Sequence, residues 1–166
     1  MDDIEIRQAL ATDSEDILAM LTRLAHELGD GDRFCCRIEH IRNYGFGEHS
    51  LFQSLIASRG QHKGSEKCGL ALFFPVFSTT RGQPGVYLQD LWISPACRDA
   101  GLGIRLLRKI IDHSARQWHA SYLDLMVHVD NTAAERFYRR YGFVEHTHDR
   151  HLSLDGDAFR ALRNEN

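Results

Sequence analysis

The sequence is poor in the features that bind metals, form disulfides or span membranes. Its four cysteines, Cys35, Cys36, Cys68 and Cys97, contain no C-x-x-C pair, which favours free thiols over a zinc knuckle or a disulfide framework. No apolar run approaches the roughly 20 residues of a membrane span. The first three residues, MDD, are acidic where a secretory signal is basic. We therefore expect a cytoplasmic location and no membrane partner.

An excess of charge of one sign is missing as well. The sequence has 20 Lys and Arg residues and 23 Asp and Glu residues. The resulting net charge of −3 gives no general attraction to phosphate backbones. Nucleic acid is therefore not expected as a partner. The 166 residues, 43% of them hydrophobic and 26% charged, have the composition of an ordinary globular protein and predict one domain over residues 1–166.

Strand and helix patterns alternate along the chain. Strand patterns cover residues 4–6, 51–58, 68–77, 86–93 and 122–129. Helix patterns cover residues 14–28, 37–44, 102–118 and 133–141, with Asp13 or Ser14 as the cap of the first. The tail predicts a strand at 151–154 and a helix at 155–163. The order over residues 86–141 predicts a parallel strand pair joined by a right-handed crossover. The predicted fold class is α/β with a mixed sheet.

The helix that begins at Leu102 has the clearest amphipathic pattern. Its predicted apolar face carries five side chains: Leu106, Leu107, Ile110, Ile111 and Trp118. The segment before it reads Arg98-Asp99-Ala100-Gly101-Leu102-Gly103. A loop that enters a helix exposes unpaired backbone N–H groups at the positive end of the helix dipole, where anions bind. The alternative is a turn that simply needs glycine.

This segment differs from two common phosphate-binding motifs. The dinucleotide fingerprint requires G-x-G-x-x-G, and its third glycine is missing here. The phosphate loop of nucleotide hydrolases requires Gly-Lys followed by Ser or Thr, whereas Gly103 is followed by Ile104 and Arg105. Nucleotide hydrolysis is therefore disfavoured.

A second motif follows 28 residues after Gly103. It contains Asn131, Ala134, Phe137-Tyr138 and Gly142-Phe143. With both motifs in this order, the chain resembles the GNAT superfamily of acetyl-CoA-dependent N-acetyltransferases. Within it, the chain is similar to the spermidine/spermine (diamine) acetyltransferase group, above all in the stretch Gly45-Phe46-Gly47-Glu48-His49.

The resemblance implies a central mixed sheet with splayed parallel strands flanked by helices, and acetyl-CoA as co-substrate. The residues that it implies for binding of the cofactor pyrophosphate are Arg98, Asp99, Ala100, Gly101, Leu102, Gly103 and Ile104. The resemblance also implies that the extended arm of acetyl-CoA that carries the thioester, here called the carrier arm, pairs with Leu91, Trp92 and Ile93. In residues 86–93 the apolar positions change parity between Leu88 and Leu91, which predicts a β-bulge in this strand. The resemblance also implies a cytoplasmic homodimer.

Three further site residues follow from the same resemblance. Asn131 would brace the cofactor arm, with a helix cap as its alternative role, and Ala134 would lie beside the cofactor. Tyr138 would protonate the departing thiolate, since a phenol with a pKa of about 10 can supply a proton to a thiolate whose thiol has a pKa near 8.5. The alternative for Tyr138 is a packed core aromatic.

The residues that would deprotonate and select the acceptor amine depart from the family pattern. Gln89 stands where polyamine acetyltransferases commonly have a glutamate base, and an amide cannot take a proton at neutral pH. Asp90 beside it is retained, and His128 is another candidate base. Thr79 and Arg81 replace acidic and aromatic positions that hold polycations in the relatives.

These departures leave a primary amine of a small molecule as the expected acceptor, either a polyamine or diamine or a lysine-like amine. Two alternatives stay open: a non-catalytic acyl-CoA-binding sensor on the same fold, and a protein or peptide N-acetyltransferase. No metal is expected, because the spacing of His146, His148 and His151 matches neither H-E-x-x-H nor a zinc finger.

Overall fold

A computed structural model of the chain describes residues 4–60 and 64–164, and it divides after His128 into two compact units. One domain over residues 1–166 remains a prediction. The first unit contains a mixed sheet with the strand order β1-β2-β3-β4-β5. Its strands are β1 (Ile4–Gln8), β2 (Gln53–Arg59), β3 (Glu66–Ser78), β4 (Gln83–Ile93) and β5 (Leu123–Leu125).

Strands β1 to β4 are antiparallel neighbours, and β5 runs parallel to β4. The helices of this unit are α1 (Ser14–Glu27), α2 (Ile38–Gly45) and α3 (Leu102–Trp118). The predicted parallel pair is confirmed, because α3 connects β4 to β5. The predicted mixed-sheet fold class is confirmed with it.

The two faces of the sheet pack against different helices. On one face, Leu70, Leu72 and Trp92 belong to a buried cluster with Ile17 of α1 and Ile41 of α2. Alternate β3 residues face α3, where a Cβ built on Gly69 would lie 3.2 Å from Leu106 Cδ1. The buried α3 residues include Leu106, Leu107 and Ile110, as the helical pattern predicts. Ile111 was expected among them, but it lies at the edge of the stripe and is 51% exposed.

The start of α1 differs from the prediction in how it is held. Asp13 occupies the N-cap position, but its side chain does not cap the helix. Its carboxylate accepts hydrogen bonds from both terminal nitrogens of Arg7, at 2.7 and 2.8 Å, and from the Leu10 N–H at 2.7 Å. The guanidinium of Arg7 holds the pKa of Asp13 below its ordinary value. The carboxylate therefore ties β1 to the start of α1.

The second unit contains α4 (Thr132–Arg140) and α5 (Gly156–Asn164). Both helices are confirmed within a residue or two of the predicted bounds. The strand predicted for residues 151–154 is wrong, because this segment has no regular structure and no neighbouring strand. The strand predicted for residues 122–129 pairs only over Leu123–Leu125. In both places an alternating pattern is present, but a strand also requires a partner.

Among the helices within the described ranges, none combines the length and the apolar character needed to cross a bilayer.

Candidate functional site

A β-bulge interrupts β4 at its centre. Asp90 lies opposite Leu72 and Leu88 lies opposite Phe73, so Gln89 is an extra residue without a partner on β3. This confirms the bulge predicted from the change of parity. Because the bulge shifts the side-chain alternation by one residue, Asp90 shares the face of Leu72, toward α1 and α2, while Leu88 shares the opposite face with Phe73.

Strand β4 pairs with its parallel neighbour only before the bulge. Strand β5 pairs with Val86, Tyr87 and Leu88 and ends at Leu125. Beyond Leu88, no described strand pairs with this edge of β4, so an extended ligand can pair here, although the Ile93 carbonyl already accepts a hydrogen bond from Arg98 Nε at 3.0 Å. The side chain of Trp92 is buried in the core, 2% exposed, and its backbone lies opposite Leu70 of β3.

The loop before α3 has the backbone geometry of an anion site. Asp99 and Gly101 both adopt left-handed conformations, with φ of 62° and 72°. Gly101 is the N-cap of α3, and no side chain caps this helix. Its first-turn N–H groups are therefore without a side-chain acceptor at the positive end of the dipole. A Cβ added to Gly101 would meet nothing within 4 Å, so a ligand can approach the backbone here. These observations fit the diphosphate of acetyl-CoA.

The guanidinium of Arg98 is held beside this loop by α1. Its Nε donates to the Ile93 carbonyl at 3.0 Å, and its Nη2 donates to Glu27 Oε2. The other oxygen of Glu27 accepts the indole N–H of Trp92 at 3.0 Å. Arg98 thus keeps free donors for a phosphate while Glu27 fixes its position. Sequence reasoning missed Glu27, which lies 71 residues from Arg98 and carries no motif.

A cavity of about 730 Å³ lies on the α1 and α2 side of the bulge. Its volume is within the range of about 300–1,000 Å³ that small-molecule sites occupy. Gln89 and Asp90 line it, together with residues of α1, α2, β3 and the loops between them. The apolar part of the wall includes Leu24, Leu28, Phe34, Phe52, Leu72 and Phe74. The two bulge residues thus contribute polar groups to a mostly apolar chamber.

The carboxyl group of Asp90 is the most perturbed acid of this cavity. Burial raises its pKa from the ordinary 3.8 to about 6. Among the described residues, no side chain forms an ion pair or hydrogen bond with it. A half-buried carboxylate without a cationic partner is suited to receive an ammonium group or its proton.

The stretch from Gly45 to His49 supports the wall of the cavity. A Cβ on Gly45 would lie 2.7 Å from the ring of Phe52, which lines the cavity. Only glycine allows this close approach between the end of α2 and the ring. Tyr44 accepts the Leu51 N–H through its carbonyl at 2.6 Å, which closes the intervening loop.

The predicted substrate-selecting positions lie elsewhere in the first unit. Arg81 pairs with Asp124 at 3.6 Å and its guanidinium lies 4.1 Å from the centre of the Tyr122 ring. Neither Arg81 nor Thr79 lines the cavity. His128 lies 3.3 Å from a carboxylate oxygen of Asp30, at the wall of the cavity, and is not itself a lining residue.

In the second unit, the motif residues lie on and before α4. The Asn131 side chain accepts the Ala134 N–H at 3.1 Å, so Asn131 is the N-cap of this helix, which is the alternative role that its sequence position allows. Tyr138 packs between Phe137 and Phe143, with ring centres 5.1 and 5.2 Å away. Burial raises the pKa of Tyr138 to about 12, so its phenol is protonated at neutral pH.

All four cysteines are free thiols. Within residues 4–60 and 64–164, no group of three or more His, Cys, Asp or Glu side chains forms a candidate metal site.

A family model and similar known sequences all point to the same family of acetyltransferases. Residues 22–143 match the model of the acetyltransferase (GNAT) family. The chain is 28% identical over 173 residues to thialysine N-epsilon-acetyltransferase of Sus scrofa, covering 98% of each chain. It is 27% identical over 148 residues to spermidine/spermine N(1)-acetyltransferase-like protein 1 of Homo sapiens, covering 87% of this chain and 21% of that protein.

Solved structures resemble the fold at lower sequence identity. An integron cassette protein from the mobile metagenome of V. cholerae superposes with a TM-score of 0.78 at 20% identity, covering 98% of this chain and 99% of that one. An aminoglycoside acetyltransferase from an uncultured soil metagenomic sample, in complex with sisomicin, gives a TM-score of 0.73 at 12% identity, covering 92% and 97%. At these identities the likeness concerns the fold.

Proposed function

The chain belongs to the GNAT acetyltransferase family, and on that premise we propose that it transfers the acetyl group of acetyl-CoA to a primary amine of a small molecule in the cavity beside the β4 bulge. The observation that carries this proposal is the unpartnered carboxyl of Asp90, whose pKa burial raises to about 6. Names of relatives that include thialysine and spermidine/spermine acetyltransferases also support an amine acceptor.

The proposed cofactor site uses the two open backbone segments of the first unit. Residues 98–104 would hold the diphosphate through the first-turn N–H groups of α3 and the free donors of Arg98. The backbone of residues 91–93 would pair with the amides of the carrier arm. Acetyl-CoA supplies the activated acetyl thioester. Asn131 and Ala134 are proposed to contact the arm as well.

Asp90 is the proposed group that receives the ammonium substrate and takes its proton. An alkylammonium has a pKa near 10.4, so transfer to a carboxylate of pKa about 6 is unfavourable by roughly 6 kcal/mol when both groups are treated as solvated. The apolar wall lowers this difference, because a neutral amine beside a neutral carboxylic acid is favoured over two buried charges. Gln89 is proposed to orient the substrate through its amide.

The acetyl group passes directly from acetyl-CoA to the amine, without a covalent enzyme intermediate, and the protons and electron pairs of this step balance. The nitrogen lone pair forms a C–N bond with the acetyl carbon, and the C–S bond breaks with its electron pair on sulfur. Tyr138 donates its phenolic proton to that thiolate. The second proton of the nitrogen is lost as the amide forms and restores the phenol through solvent. Asp90 releases the first proton, so the products are an N-acetylamine, CoA thiol and one proton.

The test is a product-detected assay with acetyl-CoA and a panel of diamines, polyamines, lysine analogues, monoamines and peptides. We expect acetylated small amines, identified by mass spectrometry, in equal amount to released CoA thiol. Asp90→Asn should abolish most turnover, whereas Asp112→Asn, an exposed carboxyl on α3, should retain it. Binding of acetyl-CoA without any acetylated product would favour the sensor, and products on peptides alone would favour a peptide acetyltransferase.

A homodimer and a cytoplasmic location are proposed together with this function. Sedimentation equilibrium of the purified chain should give about twice the 19.0 kDa mass of one chain. A mass of 19.0 kDa at assay concentrations would refute the dimer.

A further inference from the structure

We infer that the cavity beside the β4 bulge selects a primary amine with one positive charge and an apolar body, in preference to a diamine or polyamine. This inference rests on the proposed function, and it names the substrate class of that same site. Its basis is the small number of charged groups in the wall and the apolar character of the rest.

The charged groups of the wall leave one carboxylate for the ligand. Among the residues that the structure describes, three charged side chains line the cavity: Asp30, Arg33 and Asp90. Asp30 pairs with Arg33, and it also contacts His128 at 3.3 Å. The remaining carboxylate, Asp90, has no cationic partner within the described chain. The wall therefore offers one anionic position, and one ammonium group satisfies it.

The polar histidine of the wall does not add a second anionic position. The Nδ1 of His40 accepts the Arg37 N–H at 3.1 Å at the start of α2. An imidazole carries no negative charge, so His40 cannot pair with a second ammonium as a carboxylate does.

The rest of the wall suits a hydrocarbon body. Aromatic rings come from Phe34, Phe52 and Phe74, and aliphatic side chains come from Leu24, Leu28 and Leu51. Burying a CH₂ group against such a wall is favourable, whereas a second ammonium would lose its water without gaining a partner. A chain that carries a methyl group where a diamine carries its second nitrogen should therefore bind better.

The matched probes are n-heptylamine and 1,6-diaminohexane, which have equal numbers of heavy atoms and differ in the group at one end. We expect kcat/KM for acetylation of n-heptylamine to exceed that of the diamine at least about tenfold, the effect of roughly 1.4 kcal/mol in transition-state binding. Calorimetric titration of both amines into the CoA-loaded protein measures the same preference without turnover.

Leu51 offers a substitution that changes the charge of the wall without disturbing the core. It lines the cavity and is 65% exposed. Leu51→Glu adds a second carboxylate and should reduce the preference for n-heptylamine by about fivefold or more, whereas the uncharged Leu51→Gln should change it less than about twofold. An equal effect of both substitutions would show that charge is not what selects the substrate.

The outcomes separate the inference from the proposed function. If n-heptylamine is the preferred substrate and Leu51→Glu weakens that preference, both the inference and the proposed function are supported. Acetylation of 1,6-diaminohexane as fast as n-heptylamine, or faster, overturns the inference and leaves the proposed function intact. Selective binding of n-heptylamine with no acetylated product from any amine overturns the proposed function but supports the selectivity of the cavity. Neither binding nor acetylation of either probe overturns both.

Discussion

Replacing Asp90 by asparagine should make the protein more stable and less active at the same time. The carboxyl of Asp90 is half-buried, and no described residue is a cationic partner for it; its pKa rises from 3.8 to about 6 on folding. A group whose pKa is raised in the folded state favours folding while it is protonated. This contribution is lost as the pH rises from about 4 to about 6 and the folded protein must hold an unpaired negative charge. Asparagine has the same shape and no charge.

The size of the effect follows from the two pKa values. At about 1.36 kcal/mol per pKa unit, the ionised Asp90 disfavours folding by about 3 kcal/mol near pH 7.5 and by about 1 kcal/mol near pH 4.5. Asp90→Asn should therefore raise the free energy of unfolding by up to these amounts. Near pH 7.5 this corresponds to a rise in Tm of roughly 6–12 °C for a chain of this length.

The assay is urea unfolding of the parent and the variant at the two pH values, followed by circular dichroism. Asp112→Asn, which removes an exposed carboxyl from α3, serves as the charge-matched control and should not show the same pH-dependent gain. An Asp90→Asn variant that is no more stable than the parent near pH 7.5, or that gains equally at both pH values, would refute an unpaired charge on Asp90 as the cause.

Three further predictions concern the cofactor site, the general acid and the fold. Gly101→Ala places a side chain at φ 72°, which costs about 1–2 kcal/mol, and should weaken acetyl-CoA binding in calorimetry; unchanged affinity contradicts the site. Tyr138→Phe should lower kcat at least about tenfold with the Kd for acetyl-CoA retained; an unchanged kcat excludes this acid. Asp13→Asn should lower the free energy of unfolding by roughly 1–3 kcal/mol at neutral pH, because it breaks the paired hydrogen bonds from Arg7. That loss should shrink as the pH falls through the depressed pKa of Asp13, and a double-mutant cycle with Arg7 measures the coupling.

Local patterns predicted the elements whose cause is local. The amphipathic repeat of α3 and the parity change in β4 are properties of neighbouring residues, and the structure contains both the helix and the bulge. The predicted strand at residues 151–154 failed because pairing is a property of two segments. The predicted burial of Ile111 was wrong for a related reason. A residue at the edge of the apolar face of a helix is buried only if a neighbouring element packs against it.

The site was predictable where it depends on the backbone. Glycines before a helix, as at Gly101, indicate a left-handed turn and an exposed helix start, and the structure contains both. The wall of the cavity was not predictable, because it joins α1 and α2 to the bulge across long sequence separations. The position of Glu27 beside Arg98 and Trp92 depends on the same tertiary packing. The role of Asp90 likewise depends on its burial, which no sequence pattern encodes.

The central claim is that the cavity beside the β4 bulge holds the amine that this chain acetylates. The most direct measurement is a crystal structure with CoA and n-heptylamine, combined with mass spectrometry of the product formed from acetyl-CoA. We expect the amine nitrogen within about 3.2 Å of a carboxylate oxygen of Asp90, and one acetyl group on the product. An amine bound outside this cavity, or an acetylated product that Asp90→Asn forms at the parent rate, would contradict it.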